Sequence, residues 1–174
     1  MHDLRLCRTL LFLPASNPKA IAKARLLPAD MIILDLEDAV RSDDKAQARE
    51  AAREAVRQGF GGRPTAIRVN QTGSAWYGED VIAARHSGAD FVVLPKAETA
   101  RQVHDTKVLV EMPVLAMIET ARGVLSAPSI APVAGALIAG TNDLAADLGL
   151  PPEAGRSGLE HSLQSVVLAA RAAG

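Results

Sequence analysis

The chain has one cysteine, Cys7, and only 3% aromatic residues among its 174. A lone thiol cannot close an internal disulfide, which fits a reducing compartment, and the expected location is cytoplasmic. No stretch approaches the roughly 18 uninterrupted apolar residues of a membrane helix. At the start, Asp3, Arg5 and Arg8 interrupt the leucines, so it does not read as a signal peptide. Charge of one sign is also lacking: 19 Lys+Arg against 20 Asp+Glu leave a formal net charge of -1. There is thus no basic footprint for nucleic acid or an anionic membrane, and the expected partners are small molecules.

Familiar motifs are missing too. No Gly-x-Gly-x-x-Gly or P-loop follows an apolar run, and Gly59-Phe60-Gly61-Gly62 comes after a helical stretch, where it reads as a loop. His2, His86, His104 and His161 lie at the terminus or in helical stretches without metal-ligand spacing. Ser16, Ser42 and Cys7 lack a recognisable base partner, which leaves a nucleophilic triad unsupported.

What the sequence does contain is alternation. Short apolar runs predict strands over Thr9 to Leu13, Met31 to Leu36, Thr65 to Val69, Phe91 to Leu94, Val114 to Ile118 and Ala136 to Ala139. Between them, amphipathic stretches predict helices over Pro18 to Leu27, Asp43 to Gln58, Gly78 to Ser87, Ala100 to Thr106, a weak one within Gly123 to Val133, and Gly158 to Ala173. Ser42 is the expected cap of the second helix and Gly59 its expected terminator. Six units at about 29 residues each match the βαβ repeat length. The expected class is α/β, as a single domain over 1–174: a TIM (β/α)8-type barrel with six of its units, or an open parallel sheet. A full barrel takes about 250 residues.

Polar residues gather just beyond the carboxyl ends of these runs, where parallel α/β folds place their sites. In order they are Pro14, Ser16 and Asn17; Glu37 and Asp38; Arg68 and Asn70; Lys96 and Glu98; Glu119 and Thr120; and Thr141, Asn142 and Asp143. Glu119 and Asp143 end consecutive strands, whose axes lie about 4.8 Å apart if they are neighbours. Their repulsion can be relieved by a shared proton or by a cation. Oxygen donors without His or Cys favour Mg²⁺ or Mn²⁺ over Zn²⁺. The structural alternative pairs Glu119 with Lys96 or Arg122 and uses Asp143 as a helix cap.

Arg68, between Ile67 and Val69, can grip a substrate carboxylate with two prongs or pair with Glu37 or Asp38. Glu37 and Asp38 can ligate a metal, hold metal-bound water or orient Arg68, and the water-holding role is the one expected. Lys96 can form a Schiff base if desolvated, but acidic neighbours such as Glu98 and Glu119 would keep its amine charged, and a salt bridge is expected.

These residues resemble the citrate lyase beta subunit and its malyl-CoA and citramalyl-CoA lyase relatives in the HpcH/HpaI aldolase group. The likeness is carried by Arg8 to Asn17, Ile33 to Val40, Ile67 to Asn70, Val93 to Glu98, Ile118 to Gly123 and Gly140 to Leu144. It implies a (β/α)8 barrel and a Mg²⁺-dependent carbon–carbon lyase that cuts a citryl-, citramalyl- or malyl-type thioester into an acyl thioester and a 2-oxo acid. The thioester carrier would be CoA or acyl carrier protein. By motif position, Glu119 and Asp143 look like the metal ligands, Glu119 also meeting substrate, and Arg68 like the group that holds the oxo acid. Lys19 and Lys23 resemble basic residues that meet CoA, although a solvated helix face explains them equally well. The resemblance further implies a homo-oligomer, trimer or hexamer, and two more βα units with a C-terminal segment beyond these 174 residues. Two other functions fit the same residues: a class II aldolase acting on free hydroxy-oxo acids, and a non-catalytic subunit of a larger complex that binds metal and oxo acid.

Overall fold

A computed structural model describes residues 4–174; His2 and Asp3 lie outside the described residues. Among the described residues six strands, β1 (Leu10–Pro14), β2 (Met31–Asp35), β3 (Thr65–Arg68), β4 (Phe91–Leu94), β5 (Val114–Ile118) and β6 (Ala136–Ala139), follow one another in sequence order, with parallel pairing of β1 with β2, β2 with β3, β3 with β4 and β5 with β6. A doubly wound sheet reverses its strand order at a switch point, whereas a barrel does not. The order is therefore that of a TIM-type barrel with six of its strands, and the open doubly wound alternative falls.

Seven helices accompany them: α1 (Pro18–Ala24), α2 (Lys45–Gln58), α3 (Tyr77–Arg85), α4 (Ala100–Val110), α5 (Ala121–Ile130), α6 (Thr141–Asp147) and α7 (Glu160–Ala173). Short 3-10 turns occupy Leu4–Leu6, Ser42–Asp44 and Pro152–Leu159. The sequence predicts no helix between Ala139 and Gly158. Neither α6 nor the turn after it is long enough to display an apolar period of its own. No helix among the described residues is long and apolar enough to cross a membrane.

The chain forms two compact units. The first comprises, of the described residues, 4–93 and Val108–Pro113. All five residues of β2 are buried, and Ile32, Ile33, Leu34, Phe60 and Ile67 form the centre of this unit's core. Each such side chain contributes about 1.5–3 kcal/mol of burial free energy. Asn17 caps α1 by accepting from the N–H groups of Lys19 and Ala20, and Pro18 follows where a missing N–H costs nothing. Arg63 closes the other end, donating to the carbonyls of Ala24, Arg25 and Leu27. Ser42 does not cap α2, contrary to expectation: it lies in the 3-10 turn, and the cap position falls to Asp44 without a side-chain bond. Gly59 does terminate α2, at φ 77°.

The second unit comprises Leu94–Lys107 and Val114–Gly174. β5 is buried along its whole length, while β6 is half-buried throughout. A reciprocal cap starts α4: the Gln102 backbone N–H donates to Thr99 Oγ1, and the Gln102 side-chain oxygen accepts from the Thr99 N–H. Thr120 caps α5 by accepting from the Gly123 N–H at 3.0 Å. Gly123 is glycine because of close approach, since a Cβ there would lie 2.8 Å from the Ala97 carbonyl oxygen.

Candidate functional site

In the first unit the parallel register makes Asp35, at the end of β2, the Cα partner of Arg68, at the end of β3. Their side chains meet as a fork: Arg68 Nε donates to Asp35 Oδ1 at 2.7 Å and Nη2 to Oδ2 at 2.5 Å. Nη1 lies 3.1 Å from Glu37 Oε2, and the guanidinium sits 5.6 Å from the centroid of Phe12. Burial opposes the charge on Arg68. The bond to Asp35 and then the charges of Asp35, Glu37 and Asp38 outweigh it, so Arg68 is held protonated even more firmly than an ordinary arginine.

Asp35 is itself fixed, accepting from the N–H groups of Glu37 at 2.8 Å and Ala39 at 3.2 Å. Beneath this pair lies a second buried network. Lys45 Nζ donates to the carbonyls of Leu36 and Glu37 and to Asn70 Oδ1, within 2.8 Å in each case. Asn70 donates in turn to Leu36 O and to Asp80, which also receives Arg49 at 3.0 Å. The turn after β2 is thereby tied to the turn after β3.

Of the residues expected here, Arg68 and Glu37 are brought together. Of the two expected partners of Arg68, Glu37 makes the ion pair while Asp38 is exposed, and Asp35 adds a pairing that the sequence reading did not include. Lys19 and Lys23 lie four apart on α1, both exposed.

In the second unit the focus is Glu119, at the end of β5 and 2% exposed. Its Oε1 accepts from the Lys96 backbone N–H at 2.8 Å. Lys96 has φ 47°, in the left-handed region that β-carbons disfavour, and this conformation turns its N–H toward the carboxylate. Nearby, Thr120 Oγ1 donates to Glu98 at 3.0 Å. Asp143 is half-buried in the first turn of α6, where the N-terminal dipole favours a carboxylate; the cap position is Gly140, so Asp143 is not the cap that the structural alternative supposed.

Sequence reasoning missed Asp35, Phe12, Lys45, Asp80 and Gly140. Asp35 carried a signal, a charge closing an apolar run two residues before Glu37. Lys45 looked like any first-turn residue of a solvated helix.

The donor chemistry suits a hard divalent cation. Mg²⁺ takes one or two protein carboxylates and completes its octahedron with water and substrate oxygens, so carboxylates such as Glu119 and Asp143 are of the donor type it uses. Among the described residues no group of three or more His, Cys, Asp or Glu is arranged as an all-protein cage.

Comparison with known proteins places these residues in context. Residues 8–174 match the family described as HpcH/HpaI aldolase/citrate lyase. A (3S)-malyl-CoA thioesterase of Cereibacter sphaeroides is 39% identical over 177 residues, covering 99% of this chain and 62% of that protein. The chain thus spans about three fifths of that relative's length. Among solved structures, the citrate lyase beta subunit from Mycobacterium tuberculosis complexed with oxaloacetate and magnesium is 35% identical with a TM-score of 0.83, covering 99% of this chain and 78% of that one. A second structure from the same organism, with magnesium, acetoacetate and coenzyme A, is 35% identical with a TM-score of 0.81, covering 98% of this chain and 64% of that one.

Proposed function

The chain belongs to the HpcH/HpaI aldolase/citrate lyase family, and from that premise we propose that it acts as a Mg²⁺-dependent carbon–carbon lyase on a citryl-, citramalyl- or malyl-type thioester. The observation that carries this reading is Glu119, a carboxylate buried to 2% exposure and aimed by a backbone N–H, with Asp143 at the start of the helix that follows the next strand. Carboxylate oxygens are the donors a hard divalent cation such as Mg²⁺ takes, and Glu119 and Asp143 supply them.

In this reading Glu119 and Asp143 hold the cation, with Mn²⁺ an alternative to Mg²⁺. When bound, the metal polarises the oxygen that becomes the oxo acid's carbonyl. Arg68 supplies positive charge toward the oxo acid's carboxylate. Because Asp35 occupies its side-on fork, Arg68 acts as an electrostatically fixed charge rather than the two-pronged grip expected from sequence. Glu37 keeps Arg68 oriented. Lys19 and Lys23 offer exposed charge for the anionic part of a thioester carrier, and the active species is a homo-oligomer, to be sized by light scattering.

Calorimetric titration of oxaloacetate, pyruvate and glyoxylate with and without Mg²⁺ tests the site. Binding is expected to require the metal and to disappear in Glu119→Ala and Asp143→Ala; binding indifferent to metal and to both substitutions sinks the reading.

A second reading is favoured by the similarity to a malyl-CoA thioesterase: hydrolysis of the thioester instead of cleavage of the carbon–carbon bond. The products separate the two. A lyase releases a 2-oxo acid and leaves a thioester intact, whereas a thioesterase releases a free thiol without any oxo acid.

A further inference from the structure

We propose that Gly140 is a positioning residue for Glu119, a glycine because the Glu119 side chain occupies the space where any β-carbon at position 140 would lie. The functional consequence rests on the reading of Glu119 as a cation ligand; the steric relation does not.

Gly140 has φ -85° and ψ 84°, a conformation open to residues with side chains, so backbone freedom does not explain the glycine. Space does. A Cβ at 140 would lie 2.7 Å from Glu119 Cβ and 3.3 Å from its Cδ, and closer still to Oε2. The first of these atoms cannot swing aside, because it is set by the backbone at the end of β5. There Ile118 is in register with Ala139, and the Gly140 N–H donates to the Ile118 carbonyl at 3.0 Å.

The far side of the carboxylate is closed as well. Oε1 already accepts from the Lys96 N–H at 2.8 Å, a bond made by a residue held at φ 47° at an expected cost of about 1 kcal/mol or more. Glu119 is thus bracketed between Lys96 and Gly140, and a methyl group at 140 forces it to move on one side or surrender the bond on the other. Displacement also reaches Asp143, since the carbonyl of Gly140 accepts the first hydrogen bond of α6, from the Leu144 N–H at 3.0 Å. One position therefore sets both carboxylates.

Two measurements test this. The first is a metal-free unfolding cycle of wild type, Gly140→Ala, Glu119→Gly, which removes the Glu119 Cβ itself, and the double variant. Gly140→Ala should lower the unfolding midpoint by about 4 °C in the wild-type background, as overpacking does, and by less than half as much once Glu119 is truncated. Equal shifts in both backgrounds, or none in either, overturn the proposal. The second is calorimetric Mg²⁺ affinity of wild type, Gly140→Ala and Glu119→Gln, where Gly140→Ala should weaken binding about tenfold or more. Wild-type affinity in Gly140→Ala alongside lost binding in Glu119→Gln overturns the positioning role. If Glu119→Gln binds Mg²⁺ like wild type, it is the cation-ligand reading that falls, and the unfolding cycle alone decides whether Gly140 makes room for Glu119.

Discussion

Arg68 and Asp35 are register partners on adjacent strands and are joined by two parallel hydrogen bonds of 2.7 and 2.5 Å, with side-chain exposures of 13% and 2%. A lysine keeps the charge but not the fork. Arg68→Lys is therefore expected to cost about 1.5–3 kcal/mol of stability and to weaken oxo-acid binding. Urea unfolding checks the first, and a cycle with Asp35→Asn should show strong coupling. Additive single effects would dissolve the pair as a unit.

Lys45 makes three buried hydrogen bonds that hold the turn carrying Glu37. Burial lowers its pKa from 10.5, partly offset by Asp80, Asp35, Glu37 and Asp38. Between the lowered value and 10.5 the unfolded chain binds more protons than the folded one, so this group makes stability rise with pH across that window. Lys45→Met should flatten the rise and cost about 3 kcal/mol near neutrality, because Asn70 Oδ1 and two carbonyls lose their donor. Chemical denaturation from pH 7 to 10 reads both.

Asp30 accepts from the Thr9 hydroxyl and from the N–H groups of Arg8 and Thr9, each at 2.9 Å. The Thr9 hydroxyl and then the Arg8 N–H lower its pKa below 3.8. Its contribution is complete above 3.8 and is lost as pH falls through the lower folded value. Asp30→Asn should therefore remove part of the acid sensitivity seen below pH 3.8; identical acid profiles for the two proteins would count against this.

The Lys96 backbone N–H donates to Glu119, and substitutions at this position separate that donor from the side-chain amine. Lys96→Gly keeps the N–H and eases the left-handed conformation, so Mg²⁺ affinity should stay within about threefold of wild type. Lys96→Pro removes the donor and cannot adopt φ 47°, and should abolish binding. A loss in Lys96→Gly equal to that in Lys96→Pro would return the amine to the chemistry.

Lys19→Ala with Lys23→Ala is expected to raise KM for the thioester while leaving the affinity for free oxo acid unchanged. Steady-state kinetics beside calorimetry measures the two. An unchanged thioester KM would leave both lysines as a solvated face of α1.

Much of this architecture was legible in one dimension. β4, β5 and β6 fall on the predicted ranges, and β2 and β3 end one residue early, because buried parallel strands are continuous apolar runs with polar ends. Local chemistry also exposed the Gly59 terminator. Ser42 misled because a 3-10 turn intervened, and α6 was invisible because seven residues carry too few turns to show a period.

The sequence by itself determined the βα alternation, the family likeness and the placement of Glu37, Arg68, Glu119 and Asp143 after strand ends, since each depends only on spacing along the chain. Tertiary structure alone decided that Asp35 joins Glu37 in gripping Arg68, that buried Lys45 ties two turns together, and that Glu119 lies between the Lys96 N–H and Gly140. Those outcomes depend on strand register, on which buried donors lack water, and on the few ångströms separating one backbone from another. No spacing of residues along a chain encodes these quantities directly.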